Sequence, residues 1–249
     1  MDEFVKALCW ERWPMASVEK KLNKEIQHLI VQHLKSGQKL PTEKELMERY
    51  GVSRTALRDV FAMYEAQGVI ESTQGRGRIA KMPDLTQQVI NTWGIALELN
   101  PELLFDILEL RTIVEMSVLP RVAQRMDTDQ LQYMGMLVES MKAKAKMGDV
   151  FAEEDRAFHM TIFKNVGNTL TEQLLTALWT LLNSQIATRH PDLEAVAAQH
   201  EDILRALVRQ DLDALQKSTS EQLADVRYRI MMGMLQNAGE SAGSIAANE

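Results

Sequence analysis

The chain has 249 residues, of which 45% are hydrophobic and 25% charged, and its formal net charge is −7. This composition is ordinary for a globular protein with room for one large domain or two smaller ones, and no apolar run approaches the roughly 20 residues that cross a bilayer. One cysteine, Cys9, excludes an intramolecular disulfide framework and fits a reducing compartment. Residues 1–16 lack the apolar segment of a signal peptide and are interpreted as a tail, with Met1 and Met15 as alternative starts.

Charge is distributed unevenly along the chain. Residues 1–82 carry a net charge of +3, and residues 83–249 carry −10. The asymmetry suggests two modules with different partners, although an excess of three cations over 82 residues is also compatible with chance.

The first eighty residues predict three helices followed by a hairpin. Apolar residues from Val18 to Leu34 recur at helical spacing, and Gly37 ends that helix. Thr42 and Glu45 form the pattern of a capping box for a second helix. Ser53 is a candidate N-cap for a third, which Gly68 ends, and strand-prone residues then flank the tight turn "QGRGR" at 74–78. We assign residues 17–82 to this module and 83–100 to a linker.

The remainder predicts only helices. Breaks at Gly148, Gly167 and the His190–Pro191 pair separate helices over 128–147, 150–166, 169–189 and 191–209, and a last helix runs from 211 to about 235. Residues 101–236 are therefore interpreted as an all-α bundle of six or seven helices, and 237–249 as a disordered tail.

The segment "GVSRTALR" favours a helix-turn-helix that reads DNA. Ser53 and Thr55 can donate to phosphates at a helix N-terminus, and Arg54 and Arg58 share one helix face from which a guanine edge is within reach. Lys44 on the preceding helix supports the same surface. Alone, this segment fits a solvated helix face with a capping serine better than a DNA contact. The capped helix before it and the basic hairpin after it favour DNA binding.

The hairpin tip predicts a wing. Its glycines permit a tight turn close to the DNA backbone, and its arginines suit phosphates or a minor groove. The tip residues concerned are Gln74, Gly75, Arg76 and Arg78.

The stretch from Leu40 to Ala80 resembles the winged helix of GntR-type bacterial transcription regulators, with Leu40-Pro41, Glu43, Glu45-Leu46, Gly51-Val52-Ser53-Arg54, Arg58, Gly68 and Gly75 as ordered landmarks. The resemblance implies a mainly α protein, located in the bacterial cytoplasm, that binds DNA through Lys44, Ser53, Arg54, Thr55, Arg58 and Gly75. Lys44 stands where arginine is commoner, which keeps the charge but loses the bidentate fork.

The acidic half is similar, over about 95–230, to the effector-binding domain of the FadR subfamily. "ILELRTIVE", "EEDRAFHMTIFKNVGN" and "QHEDILRALVRQDLDAL" carry this similarity. Asp155 and His159 are four residues apart, a spacing that places a carboxylate and an imidazole on one helix face. The resemblance adds His200 and a fourth position, usually histidine, that is Gln222 here. It implies a divalent transition metal such as zinc, nickel or manganese.

Three alternatives stay open for these metal-site residues. Asp155 and His159 also fit a surface helix pair, and His200 a histidine at the edge of the core. Gln222 can coordinate through its neutral amide oxygen, hold a water, or leave an open position.

The resemblance also implies an effector cavity. Arg111 is expected to meet an acidic ligand there, although its spacing also fits a solvated helix face. Asn168 and Arg189 are candidates for the wall. A cation beside a metal favours a small carboxylate such as a sugar acid or a hydroxy acid.

The sequence therefore predicts a ligand-responsive DNA-binding regulator rather than an enzyme. It is expected to be a homodimer on an inverted-repeat operator, and a repressor released by its effector. One alternative is a metal-dependent hydrolase with Glu154 or Glu201 as the base. Another is a metal-free acyl-CoA sensor, which has no need of the Asp155, His159 and His200 set.

Overall fold

The structure is a computed structural model, and it describes residues 17–73, 77–185 and 192–246. It divides the chain into two compact units, residues 1–84 and 85–249. The first unit has a helix-turn-helix with a hairpin, and the second is helical throughout its described part. The predicted fold class is thus confirmed. None of the helices in the described ranges is long and apolar enough to cross a membrane.

The first unit follows the predicted order of three helices and a hairpin. Helix α1 is Ser17–Ser36, α2 is Glu43–Tyr50 and α3 is Arg54–Ala66. Strands β1 (Ile70–Thr73) and β2 (Gly77–Ala80) pair antiparallel, with Ile70 opposite Ala80. An isolated bridge from Lys39 to Ile79 ties the segment before α2 to the hairpin.

Local hydrogen bonds fix the ends of α2 and α3. Glu45 N–H donates to Thr42 Oγ1, and Thr42 N–H donates to Glu45 Oε2, which confirms the capping box. Gly51 ends α2 with a φ of 64°, in the left-handed region that favours glycine. The N–H of Ala56 donates to Ser53 Oγ at 3.2 Å, so Ser53 caps α3 as predicted.

One apolar core joins these elements. It is formed by side chains from all three helices, from β1 and from the segment before α2, namely Leu22, Ile26, Leu29, Ile30, Leu40, Leu46, Leu57, Val60, Phe61, Tyr64 and Ile70. Since the inward face of α3 is held by Leu57, Val60 and Phe61, its opposite face is left in solvent.

The second unit contains seven helices within the described residues. They are α4 (Leu85–Leu99), α5 (Leu103–Arg125), α6 (Thr128–Met147), α7 (Ala152–Lys164), α8 (Thr169–Gln185), α9 (Leu193–Arg209) and α10 (Leu212–Ala246). Two buried apolar clusters hold them together. One includes Met134, Phe158, Phe163 and Leu207, and the other includes Leu97, Leu108, Leu178 and Leu223.

The linker expected at 83–100 is mostly helical in the structure. Residues 85–99 form α4, which packs on α8 and is grouped with the second unit. The Thr86 hydroxyl donates to the carbonyl of Gln173 at 3.2 Å. Val89, Ile90, Trp93 and Leu97 recur at helical spacing and pack into the second apolar cluster, which explains the helix.

The C-terminal boundary differs as well. A disordered tail was expected from residue 237, whereas the backbone of α10 continues as helix to Ala246. This segment contains no proline to stop a helix, although Gly239 and Gly243 have low helix propensity.

Gly94→Ala tests whether residues 85–99 are a helix. Gly94 lies inside α4, and a Cβ there would meet no atom within 4 Å. Alanine should therefore slow amide exchange across 90–98 and raise the local free energy of opening by about 0.5–1 kcal/mol. Gly51→Ala is the matched control. It should destabilise the first unit by about 1 kcal/mol because its φ is 64°. Unchanged exchange at 90–98 in Gly94→Ala would contradict the helix.

Candidate DNA-reading surface and metal centre

The N-terminal end of α3 presents the predicted DNA-reading residues together. Ser53, Arg54, Thr55 and Arg58 are all exposed, and so is Lys44 on α2. The capped helix end leaves free N–H groups and a positive partial charge there, which suits phosphate. Of the predicted wing residues, Gln74, Gly75 and Arg76 lie outside the described residues.

The carboxylate of Glu43, the first residue of α2, lies among these arginines. Arg58 donates from Nε to both oxygens of Glu43, each at 3.2 Å. Arg54 Nε is 3.8 Å from the same carboxylate. The sequence analysis used Glu43 only as a landmark of the motif.

Arg78 faces the protein rather than solvent. It donates to Glu43 at 3.1 Å and to Glu65 at 2.9 Å, and its guanidinium lies 4.4 Å from the centre of the Phe61 ring. The expectation that the arginines of the hairpin tip serve phosphates therefore does not fit Arg78. Two carboxylates and a ring engage it, from Glu43 at the start of α2 and from Glu65 and Phe61 on α3.

In the second unit, three predicted metal ligands converge. Helix α7 carries Asp155 and His159, and α9 carries His200. Asp155 Oδ1 is 2.8 Å from His200 Nε2 and 3.6 Å from His159 Nε2. One donor atom from each of the three residues lies within 4.8 Å of the others. The i,i+4 spacing on α7 accounts for the first two, and the packing of α9 in the same bundle brings His200 to them.

Gln222 on α10 reaches the same place. Its amide nitrogen is 3.2 Å from His200 Nε2, and the residue is buried. Its Oε1 is buried and has no hydrogen-bond partner among the described residues. The two ends of an amide exchange places by a half turn, so this unpartnered oxygen can face the three ligands.

The proton positions favour a cation between Asp155 and His200. His200 Nδ1 lies 2.8 Å from the carbonyl of Val196, which can only accept, so Nδ1 carries the proton. In the neutral ring, Nε2 then presents a lone pair to the carboxylate. Two acceptors 2.8 Å apart need a proton or a metal ion between them. Phe158 makes an edge contact with the His200 ring at 4.9 Å between centres and fixes its plane.

The protonation states suit metal ligands. Burial, reinforced by the charge of Arg111 and opposed by Asp155, lowers the pKa of His159 to about 3. Burial alone would raise the pKa of Asp155, but a hydrogen bond from His200, formed when Nε2 carries a proton, and the nearby positive charges lower it to about 2. The carboxylate is therefore ionised and His159 neutral near pH 7. His159 Nδ1 is buried and, within the described part of the chain, has no hydrogen-bond partner. This donor set fits zinc, nickel or manganese.

A cavity of about 170 Å³ opens beside these ligands. Arg111 lines it and is 2% exposed, and its Nε donates to Glu115 at 2.9 Å. The alternative of a solvated helix face for Arg111 is therefore wrong. Trp179, Asn183 and Gln199 also line the cavity, none of which the sequence analysis identified.

Arg229 is a second cation of the cavity wall that the sequence analysis missed. It lies on α10 and its Nε is 3.1 Å from Asp225 Oδ2, an ion pair without hydrogen-bond geometry. Its position seven residues after Gln222, two helical turns along the same face, is the signal that identifies it.

The structure does not bring Asn168 to this cavity. Its Oδ1 accepts from Thr171 N–H at 3.0 Å, and it is exposed as the cap of α8. Arg189 lies outside the described residues.

The described residues do not support the two alternative functions. Glu154 pairs with Lys144 and accepts from Ser140, and Glu201 pairs with Lys142 and Arg205, so both candidate bases are engaged away from the cavity. The cavity is also small for an acyl-CoA, since pockets for drug-sized ligands reach about 300–1,000 Å³.

Comparisons with known proteins agree with both units. Residues 18–79 match the family described as "Bacterial regulatory proteins, gntR family", and residues 106–225 match the "FCD domain". The Glc operon transcriptional activator of Escherichia coli K12 is 28% identical over 237 residues, 88% of this chain and 90% of that protein. The Galactonate operon transcriptional repressor of the same strain is 26% identical over 202 residues, 78% of this chain and 88% of that protein.

A solved structure supports the fold. The structure named "Streptococcus agalactiae GntR" aligns with a TM-score of 0.64 and 24% identity, over 84% of this chain and 99% of that one. The matched proteins are regulators and not enzymes, in accord with the prediction. With a GntR DNA-binding domain followed by an FCD domain, the chain belongs to the GntR family of bacterial transcription regulators and has the domain pairing of the FadR subfamily.

Proposed function

We propose that this regulator binds an inverted-repeat operator as a homodimer and releases it when a small carboxylate occupies the cavity of the second unit. The observation that carries the effector half of the proposal is the contact of 2.8 Å between Asp155 Oδ1 and His200 Nε2 at the edge of a cavity lined by two arginines. Sugar acids and hydroxy acids are the ligand class.

Asp155, His159 and His200 would hold a divalent ion, with Gln222 as the fourth residue. The support is the convergence of one ionised carboxylate, two imidazoles and an unpartnered amide oxygen. When bound, zinc, nickel or manganese would supply a Lewis-acid contact for an oxygen ligand. The cavity adjoins the ligands, so an effector oxygen could reach that contact.

Arg111 and Arg229 would orient the effector's carboxylate. Both line the cavity, and a guanidinium forms paired hydrogen bonds to a carboxylate that an ammonium cannot reproduce. Trp179 offers an apolar wall and Asn183 a polar one. A short ligand with one carboxylate and neighbouring hydroxyl groups matches this lining.

The N-terminal end of α3 would enter the major groove. Arg54 and Arg58 would read guanine, while Ser53, Thr55 and Lys44 would contact phosphates. Gln74, Gly75 and Arg76 would extend the contact as a wing. A two-fold dimer would place one such domain on each half-site of an inverted repeat.

We propose that the protein represses transcription and that effector binding relieves this repression. The galactonate operon repressor supports it, whereas the Glc operon protein is named an activator. The position of the protein's footprint relative to the promoter, with and without effector, tests the sign.

Arg54→Ala should weaken specific DNA binding by about tenfold to a hundredfold, because it removes a bidentate contact to a base. The operator duplex would come from selection on a randomised DNA library with the full chain. Arg49→Ala, an exposed arginine near the end of α2, removes the same charge outside α3 and is the control. Equal affinities of Arg54→Ala and Arg49→Ala for the selected duplex would refute the assignment of α3.

His159→Ala should abolish bound metal and the effector response but spare DNA binding. Elemental mass spectrometry of protein purified without a metal-affinity tag should show about one transition metal per wild-type chain. Stabilisation by galactonate, the sugar acid in the name of one relative, should disappear from thermal melts of the variant. His28→Ala, an exposed histidine of α1, is the control for nonspecific metal binding. Unchanged metal content in His159→Ala would remove the proposed site.

Gln222→His should strengthen metal binding on the order of tenfold or more, because an imidazole replaces a weak neutral oxygen ligand. Competition with a chelator measures the dissociation constants for zinc and nickel. Gln199→His is the matched control, since Gln199 also lines the cavity but makes no hydrogen bond to His200 among the described contacts. A larger gain for Gln199→His would place the ion elsewhere in the cavity.

A further inference from the structure

Glu43 is an acidic residue in the middle of the surface that should meet a polyanion. Its carboxylate contacts arginines from two different elements, Arg54 and Arg58 on α3 and Arg78 on β2. Its side chain is 18% exposed, while those of Arg54 and Arg58 are 63% and 60% exposed. An acid here weakens attraction to DNA phosphates, so its presence needs another explanation.

Arg78 holds Glu43 from the protein side. The Arg78 guanidinium is fixed by the carboxylates of Glu43 and Glu65 and by the face of Phe61. Glu65 is itself held, because the Ser72 hydroxyl donates to it at 2.6 Å. The Glu43 carboxylate is thereby anchored to the core side of the domain before it reaches the solvent-exposed arginines.

Glu43 is ionised near pH 7. Burial would raise its pKa, but hydrogen bonds from Arg58 and Arg78 outweigh burial and lower it. The charged carboxylate can therefore attract both exposed arginines at neutral pH.

Glu43 binds Arg58 through Nε, an atom that is not needed when the two terminal nitrogens of an arginine contact a base. Arg58 donates to Glu43 from Nε, and its two terminal nitrogens carry the four other N–H groups of the guanidinium. A fork of N–H groups is what a guanine O6 and N7 accept. An arginine held by Nε is one whose fork has a defined direction.

We propose that Glu43 is a positioning residue for DNA recognition, one that directs Arg58 and, more loosely, Arg54 before DNA binds. It lowers affinity for DNA of any sequence and raises discrimination between sequences. This inference rests on the proposed assignment of Arg54 and Arg58 to base contacts. The physical basis is that a long, flexible side chain loses rotamer freedom on binding, and a side chain that is already held loses less.

Glu43→Gln tests the proposal in the full chain. Two DNA duplexes serve as probes, the one most enriched by wild-type protein from a randomised library and a shuffled version of it. Glu43→Gln should bind the shuffled duplex about threefold more tightly at low salt, because one negative charge is removed. The ratio of selected to shuffled affinity should fall about tenfold, because the arginine fork loses its direction.

Glu48→Gln is the charge-matched control. Glu48 is exposed on the same helix, and no ion pair of Glu48 occurs among the described residues. It should raise both affinities by the same factor and leave their ratio unchanged. An equal ratio in Glu43→Gln and Glu48→Gln would show that Glu43 acts through charge alone, and would overturn the proposal.

Two further variants separate the causes. Glu43→Asp keeps the charge but shortens the reach by one carbon, so the ratio should fall with no gain for the shuffled duplex. That variant also decides the matter if Glu43→Gln fails to fold, and an unchanged ratio in Glu43→Asp would then overturn the proposal. Arg58→Ala tests the underlying assignment. If it leaves the ratio intact, the assignment of Arg58 to a base fails; if it lowers the ratio and Glu43→Gln does not, only the positioning role fails.

Discussion

The short contact between Asp155 and His200 constrains what the second unit can do. The carbonyl of Val196 accepts a hydrogen bond from His200 Nδ1, so Nε2 is the atom that faces the ionised carboxylate at 2.8 Å. A proton on Nε2 would satisfy that pair alone. It would leave the neighbouring His159 neutral, with an unpartnered Nδ1, and the Gln222 oxygen unpartnered as far as the described residues go. A metal ion held by all four residues would engage them at once, which is why we propose one here.

The charges around the cavity are the basis for the anionic effector that we propose. Arg111 is balanced by Glu115 at 2.9 Å, and Arg229 lies 3.1 Å from Asp225. Asp155 contributes one negative charge, and a divalent ion would contribute two positive charges. The lining would therefore carry an excess of about one positive charge, which a monocarboxylate neutralises. A neutral ligand would leave that excess in a partly desolvated site, so a sugar acid suits this cavity better than a sugar.

The parts of the fold and site that were predicted from the sequence are those fixed by local rules. The caps at Thr42 and Ser53 depend on atoms three residues apart, and Asp155 meets His159 through one helical turn. His200 was predicted as a third ligand only from the resemblance to a family. Its contact with Asp155 depends on how α7 and α9 pack in the bundle, which local spacing does not determine.

The misses have physical reasons as well. An Arg–Glu pair four residues apart looks the same in sequence whether it is solvated or 2% exposed, so the burial of Arg111 could not be read from its spacing. Asn168 was placed in the cavity wall although its position before α8 is that of a helix cap. The apolar spacing of 89–97 does indicate α4, although these residues were assigned to a linker because they follow the end of the first module.

The protein has a net charge of −7, so its overall charge does not attract it to DNA. The local charges around Glu43 therefore matter more for DNA binding. A strongly basic protein binds any DNA through counterion release, and base contacts then add a modest preference. Here the acidic second unit supplies no such attraction, and Glu43 reduces the attraction that Arg54, Arg58 and Arg78 would otherwise exert. Contacts that depend on base sequence would then supply a larger share of the affinity. A regulator built in this way spends little time on the non-operator DNA that surrounds its site, because discrimination depends on the ratio of specific to nonspecific affinity rather than on total affinity.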